Sequence, residues 1–182
     1  MISLLEVLSQ IEDPRSYHGR EYKLHHILYI SILAILSKAK TYVDIQRFIK
    51  VHFEKLKQIF KLKWRQVPDV SAIRKIIVRV PLEEIERVFR IYSAELAIQD
   101  SKGIKQICCD GKALRGSFCG GTAGQRIFEA FAAFGQIILA HIPLTSDKES
   151  EIPALFEFLE TLDLEGVVVT ADAMHCQKKT LS

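Results

Sequence analysis

The chain has 182 residues, of which 48% are hydrophobic and 26% charged. That apolar share excludes intrinsic disorder, and 9 Gly with 5 Pro exclude a low-complexity or collagen-like chain. The length suits one domain or two small ones, and a net charge of +3 makes no general demand for an anionic partner.

The charge is unevenly spread. Residues 1–100 carry 17 Lys and Arg against 12 Asp and Glu, while residues 101–182 carry 8 against 10. Between Lys38 and Arg65, 9 basic residues face only Asp44 and Glu54, a local net of +7. This reads either as two units with different roles or as one globule with uneven surface charge. Met1 leads directly into an amphipathic pattern without the n- and h-regions of a signal peptide. The most apolar window, Ile27 to Leu36, is half the ~20 residues a membrane span needs. Cys108, Cys109, Cys119 and Cys176 form no CxxC pair and no disulfide framework. A cytoplasmic protein with reduced thiols and no membrane partner is expected.

The first hundred residues are helical in period. Leu4, Leu5, Leu8 and Ile11 recur at helical spacing until Asp13-Pro14 stops them. Leu24 to Leu36 is apolar on most sides and is expected to be a central helix. Thr41 and Asp44 form a capping-box pattern, opening a helix whose stripe is Ile45, Phe48, Ile49, Phe53, Leu56 and Phe60. Pro68 breaks that pattern, Ser71 is the expected cap of a short helix to Val80, and Pro81 suits the first turn of the next. The last helix is expected to bury Leu82, Ile85, Val88, Phe89, Tyr92 and Leu96. Trp64 reads as a core residue, and the scattered histidines lack metal-ligand spacing.

After Asp100-Ser101-Lys102-Gly103 the period changes. Ile104 to Cys109 is β-prone and is expected to end at Asp110-Gly111-Lys112. A glycine-rich loop follows, then two strands forming a hairpin about Gly135, a helix over 151–162, and Val167 to Asp172. That last β-branched run predicts a strand buried on both faces. Asp110 and Asp172 thus each close an apolar strand. If the two strands lie side by side and parallel, the carboxylates converge, and oxygen-only ligands suit Mg²⁺ or Mn²⁺. Aspartates at strand ends also commonly cap the next turn, and periodicity does not choose between these readings.

The local motifs point further. Asp110-Gly111-Lys112-Ala113-Leu114-Arg115-Gly116-Ser117 resembles the "DGK-x-LRGS" signature of an insertion-sequence transposase family that includes the H-repeat-associated proteins. Residues 147–152 are similar to that family's "EKSNEI" stretch, with Glu149 and Ser150 in place of Ser-Asn. Residues 170–177 resemble its "T-x-DAMGCQ" motif, with His175 in place of Gly. Ser9 to Arg15 resembles its N-terminal start, whereas Pro68 to Ala72 departs from its "PSHDT".

The resemblance implies a DDE-type transposase that cleaves and transfers DNA strands. It implies a helical, DNA-binding or associated domain over 1–100, and an incomplete ribonuclease H-like mixed sheet over 101–182. Asp110 and Asp172 match the first two catalytic, metal-binding carboxylates, serving Mg²⁺ or Mn²⁺ in a complete site. The third, a Glu on a later helix, has no counterpart in residues 173–182, so a truncated chain, inactive alone, is expected. Lys50, Lys55, Lys57, Lys61, Lys63 and Arg65 are the expected contacts to double-stranded DNA at the element's ends, with Lys112 and Arg115 beside the scissile phosphate. An unfinished sheet would expose apolar surface and favour self-association into homo-oligomers. The alternative is a non-catalytic DNA-binding or interaction protein derived from a transposase.

Overall fold

The computed structural model describes residues 3–16, 20–99, 106–113, 126–133, 136–144, 159–160 and 166–171. The helices are α1 (Leu4–Leu8), α2 (Leu24–Leu36), α3 (Tyr42–Val51), α4 (Phe53–Phe60), α5 (Val70–Val78) and α6 (Leu82–Gln99). The strands are β1 (Gln106–Ala113), β2 (Arg126–Ala132), β3 (Ile137–Leu144) and β4 (Val168–Ala171). The class is α+β, with the helices first in the chain and a mixed sheet after them in sequence. The chain divides into compact units Met1–Val88 and Phe89–Ser182, a boundary that falls inside α6. Among the described residues no helix is long and apolar enough to cross a membrane.

In the first unit α2 is central, as its composition predicts. It packs against α1, α3 and α5, and it buries Leu24, Ile27, Leu28, Ile30 and Ala34. Before it, the Asp13-Pro14-Arg15 stop is tied by guanidinium groups. The buried Arg15 places Nη2 2.7 Å from Asp13 Oδ2 and donates to the Tyr22 carbonyl, while Arg20 donates to the carbonyls of Asp13 and Arg15. Trp64 is buried, with its ring edge-on to Tyr22 at 5.2 Å.

The capping box at Thr41 forms as expected: Thr41 Oγ1 accepts from the Asp44 N–H, and the Asp44 carboxylate accepts from the Thr41 N–H. The single helix expected to carry the stripe to Phe60 is instead two, broken at His52 (φ −104°, ψ 13°). Val51 and His52 are weak helix formers, and Val51 is exposed, so no burial holds the helix straight there. The break sends Ile45 and Ile49 of α3 and Leu56 of α4 to the core, and Phe60 edge-on to Tyr29 at 5.3 Å. Lys61, in the left-handed region at φ 50°, ends α4.

Two further expectations are corrected. The cap of α5 is Asp69 rather than Ser71: its carboxylate accepts from the Ala72 N–H at 2.8 Å, which Ser71, inside the helix, is not placed to do. In α6, Leu82 is exposed, whereas Glu86, Val88 and Ser93 are buried. A helical side chain leans over the turn before it, and Leu82 begins the helix, so it has no turn to lie against.

The sheet of the second unit has the order β3-β2-β1-β4. β1 is antiparallel to β2, β2 is antiparallel to β3, and β1 is parallel to β4. The core on one face consists of Ile107, Cys109, Phe128, Ala130, Ala132, Leu139 and Ala140. Cys108 and Cys109 point to opposite faces, and only Cys109 is buried. β2 and β3 pair antiparallel, as the hairpin expected about Gly135 requires, with a bulge at Ala130/Phe131; Gly135 itself lies outside the described residues.

Two strand expectations change. β1 does not stop at Asp110 but continues to Ala113, because β2 runs alongside and keeps pairing Asp110 to Ala113 with Glu129 to Arg126. β4 is not buried on both faces: Val168 is 61% exposed and burial alternates along the strand. Its described pairing is to β1 alone, at the end of the strand order. Of the helix expected over 151–162, only Leu159 and Glu160 are described, and both are helical.

Candidate functional site

Asp110 sits on β1, which joins the parallel β4 on one side and the antiparallel β2 on the other. The β1–β4 register runs from Gln106↔Val168 to Cys109↔Ala171, and the next residue in each sequence is an aspartate, Asp110 and Asp172. The Thr170 hydroxyl donates to the Ile107 carbonyl at 3.3 Å, adding a side-chain tie to this pairing. Asp110 itself is exposed. Asp172 and Arg115 lie outside the described residues, as do residues 147–152 and 173–177 of the matched motifs.

Strand alternation sends Ile107 and Cys109 to the core face, and Asp110 and Lys112 to the opposite face. Glu129 of β2 stands directly across from Asp110, and His141 of β3 stands across from Glu129. An acid, an acid and an imidazole therefore cross the sheet in one row. Glu129 belongs to none of the sequence motifs; its one signal is an acidic residue at an alternating position within the otherwise apolar run 127–132.

The charges in this row are not equivalent. Lys112 Nζ lies 2.5 Å from Glu129 Oε2, with Lys112 57% exposed and Glu129 only 13%. The Glu129 hydrogen bond, then its charge, raises the Lys112 pKa above its ordinary value, and Asp110 adds a smaller push in the same direction. The His141 ring packs edge-on to Phe89 at 5.1 Å. Burial, then the neighbouring Cys108, pushes the Cys109 thiol up to about 11, which suits a core thiol rather than a nucleophile. Among the described residues no group of three His, Cys, Asp or Glu is arranged to hold a metal. Glu129 is neutralised by Lys112, which leaves Asp110 as the exposed acid of the row.

The basic stretch of the first unit is open to solvent. Lys50 of α3, Lys55 of α4, Lys61, Lys63 and Arg65 are exposed. Lys57 is half-buried, with Nζ 5.1 Å from the centroid of the Phe53 ring. Alternation after α4 buries Leu62 and Trp64 while Lys61, Lys63 and Arg65 face out.

Residues 5–93 match the family model described as DDE_Tnp_1-associated. The chain is 30% identical over 177 residues to "H repeat-associated putative transposase YhhI" of Escherichia coli K12, covering 96% of this chain and 46% of that protein. It is 30% identical over 183 residues to "Putative transposase YncI" of the same strain, covering 99% of this chain and 72% of that protein. With "H repeat-associated putative transposase YbfD", also of that strain, it shares 29% identity over 177 residues, covering 68% of that protein. The chain thus spans about half the length of some of the curated relatives it matches and about two thirds of others. No solved structure matches it. The helical front that matches a transposase-associated domain, and the relatives matched along nearly the whole chain, lead to one conclusion: the chain belongs to the transposase family that includes the H repeat-associated proteins.

Proposed function

We propose that this chain carries two of the metal-binding carboxylates, Asp110 and Asp172, that serve DNA strand cleavage and transfer in insertion-sequence transposition, and is catalytically incomplete by itself. The observation that carries this reading is the parallel β1–β4 register, which reaches Cys109↔Ala171, each followed in sequence by an aspartate. The strand order β3-β2-β1-β4, with its one parallel pair, supports a ribonuclease H-like sheet.

The donor chemistry fits Mg²⁺ or Mn²⁺. Asp110 offers carboxylate oxygen at an exposed position, and Lys112 already neutralises the neighbouring Glu129. A divalent ion bound there would supply Lewis-acid activation of an attacking oxygen and stabilisation of the leaving one. Of the chain's own groups, Asp110 and Asp172 would hold that charge, and Lys112 would bring an ammonium next to the phosphate. The exposed cations Lys50, Lys55, Lys61, Lys63 and Arg65, with Lys57, would hold duplex DNA through its phosphates.

Two measurements on the 182-residue chain test this. Mn²⁺ should broaden the amide NMR signals of β1 and β4, and Asp110→Asn and Asp172→Asn should each remove the effect. Broadening that survives Asp172→Asn sinks the carboxylate pair. In fluorescence anisotropy, duplex DNA should bind with a steep salt dependence, and reversing Lys50, Lys55 and Lys57 to Glu should weaken it for every sequence. Duplex binding without a metal site would instead favour the non-catalytic, DNA-binding alternative.

A further inference from the structure

The basic stretch through α3 and α4 mixes cations with acids: Asp44 pairs with Arg47 at 3.8 Å, and Glu54 sits in the first turn of α4. Helix α5 is different. Within its nine residues, Val70–Val78, it has no acidic side chain, and it carries Arg74 and Lys75, with Arg79 at its end. Its inward face is fixed by the buried Ile73 and Ile76, in a helix that packs on α2 and α3. Its entry is fixed by the fully buried Pro68, whose carbonyl accepts from Gln46 Nε2 of α3 at 3.2 Å.

The outward face is compact. At about 100° per residue, Arg74, Lys75 and Val78 fall within about 100° of arc. All three are exposed, and Val78 is 64% exposed with cations on either side of it. An exposed valine between cations adds nothing to phosphate attraction, but it suits contact with a thymine methyl. Arg and Lys are the side chains that pair with guanine in the major groove. A helix with its side chains is about 10–12 Å across, matching a groove about 12 Å wide. Asp69 occupies the helix N-terminus, bonded to the Ala72 N–H, and its negative charge disfavours a phosphate docking end-on, which leaves the side of the helix as the favoured contact.

We propose that α5 reads base sequence in the DNA major groove through Arg74, Lys75 and Val78, while the cations of α3, α4 and residues 61–65 grip the backbone. This rests on the DNA-binding reading above and divides the labour within it.

The test uses the 182-residue chain and a randomised 20-base-pair duplex pool. Wild type is first selected on the pool, and the enriched duplex is then compared with an unselected one by anisotropy. Arg74→Ala and Lys75→Ala should each cut the preference for the enriched duplex about tenfold, and Val78→Ala by less, while affinity for the unselected duplex falls only a few-fold. Lys50→Ala and Lys55→Ala should weaken both duplexes equally and leave the preference intact. All five positions are exposed, and circular dichroism melts check that each variant folds. An enriched sequence whose preference survives the α5 changes overturns the inference and keeps the DNA-binding reading, as does a wild type that binds duplex but enriches no sequence. A wild type that binds no duplex overturns both.

Discussion

Asp110 and Glu129 stand directly opposite each other across β1 and β2, and the ammonium that separates their fates belongs to Lys112, two residues along the same strand. Like charges in such a cross-strand position repel. By bonding to Glu129, Lys112 removes one of the two negative charges and leaves Asp110 as the exposed acid.

Replacing Glu129 with Gln should therefore lower the Lys112 pKa towards its ordinary value, because the Glu129 carboxylate that bonds and attracts the ammonium is lost and only the weaker push of Asp110 remains. Side-chain NMR titration of Lys112 reads this directly. The cost in stability should stay within ~1 kcal/mol, since the lysine is largely exposed. An unchanged titration would mean that the pair does not persist in solution.

The 182 residues by themselves should neither nick nor join duplex DNA when Mg²⁺ or Mn²⁺ is supplied. No acidic residue follows Asp172 in them, and two carboxylates leave a pair of metal ions under-coordinated. Metal-dependent cleavage that disappears in Asp110→Ala would reveal a third ligand within the chain, and Glu129 would be the first residue to test.

The turn between α1 and α2 should depend on Asp13. Its carboxylate is a charged partner of the buried Arg15, and Arg15 also holds the Tyr22 carbonyl. Asp13→Asn keeps the volume but removes the charge, and should cost about 3 kcal/mol in urea unfolding. A loss below ~1 kcal/mol would show that the carbonyl contacts hold Arg15 without it.

Acid should weaken the first unit in two separable steps. Burial, then His25 and Lys23, pushes the His26 imidazole from 6.5 to about 4, and burial also lowers His25. Their unfolded pKa values lie higher, so the unfolded chain binds more protons between these limits. The stability from neutral imidazole is complete above pH ~6.5 and is lost as pH falls towards 4. Asp13 has the same sign in a lower window: the Arg15 hydrogen bond holds it below its usual 3.8, so its contribution is lost only as pH falls below that value. Thermal melts of His26→Asn should show a flatter slope between pH 6.5 and 4, with the step below pH 4 retained. An equal slope in variant and wild type would assign the upper step elsewhere.

Local rules made much of this protein legible in its sequence. The Thr41–Asp44 capping box and the ends of α2 depend on residues three or four apart in one helix, and both stand where periodicity places them. The β-branched run after Gly166 announced β4, and adjacent cysteines on opposite faces followed from the two-residue period of a strand. Other features belong to tertiary structure alone. The break at His52 depends on which neighbours α3 and α4 each find, and its sequence keeps an unbroken apolar stripe. Asp110 lies within β1 because β2 continues beside it, and Glu129 meets Asp110 only through a register joining residues 19 apart in sequence. A helix's own hydrogen bonds close over four residues, so its sequence carries its geometry. A strand's partners and register are chosen by packing at a distance, and only the folded sheet decides which charges meet.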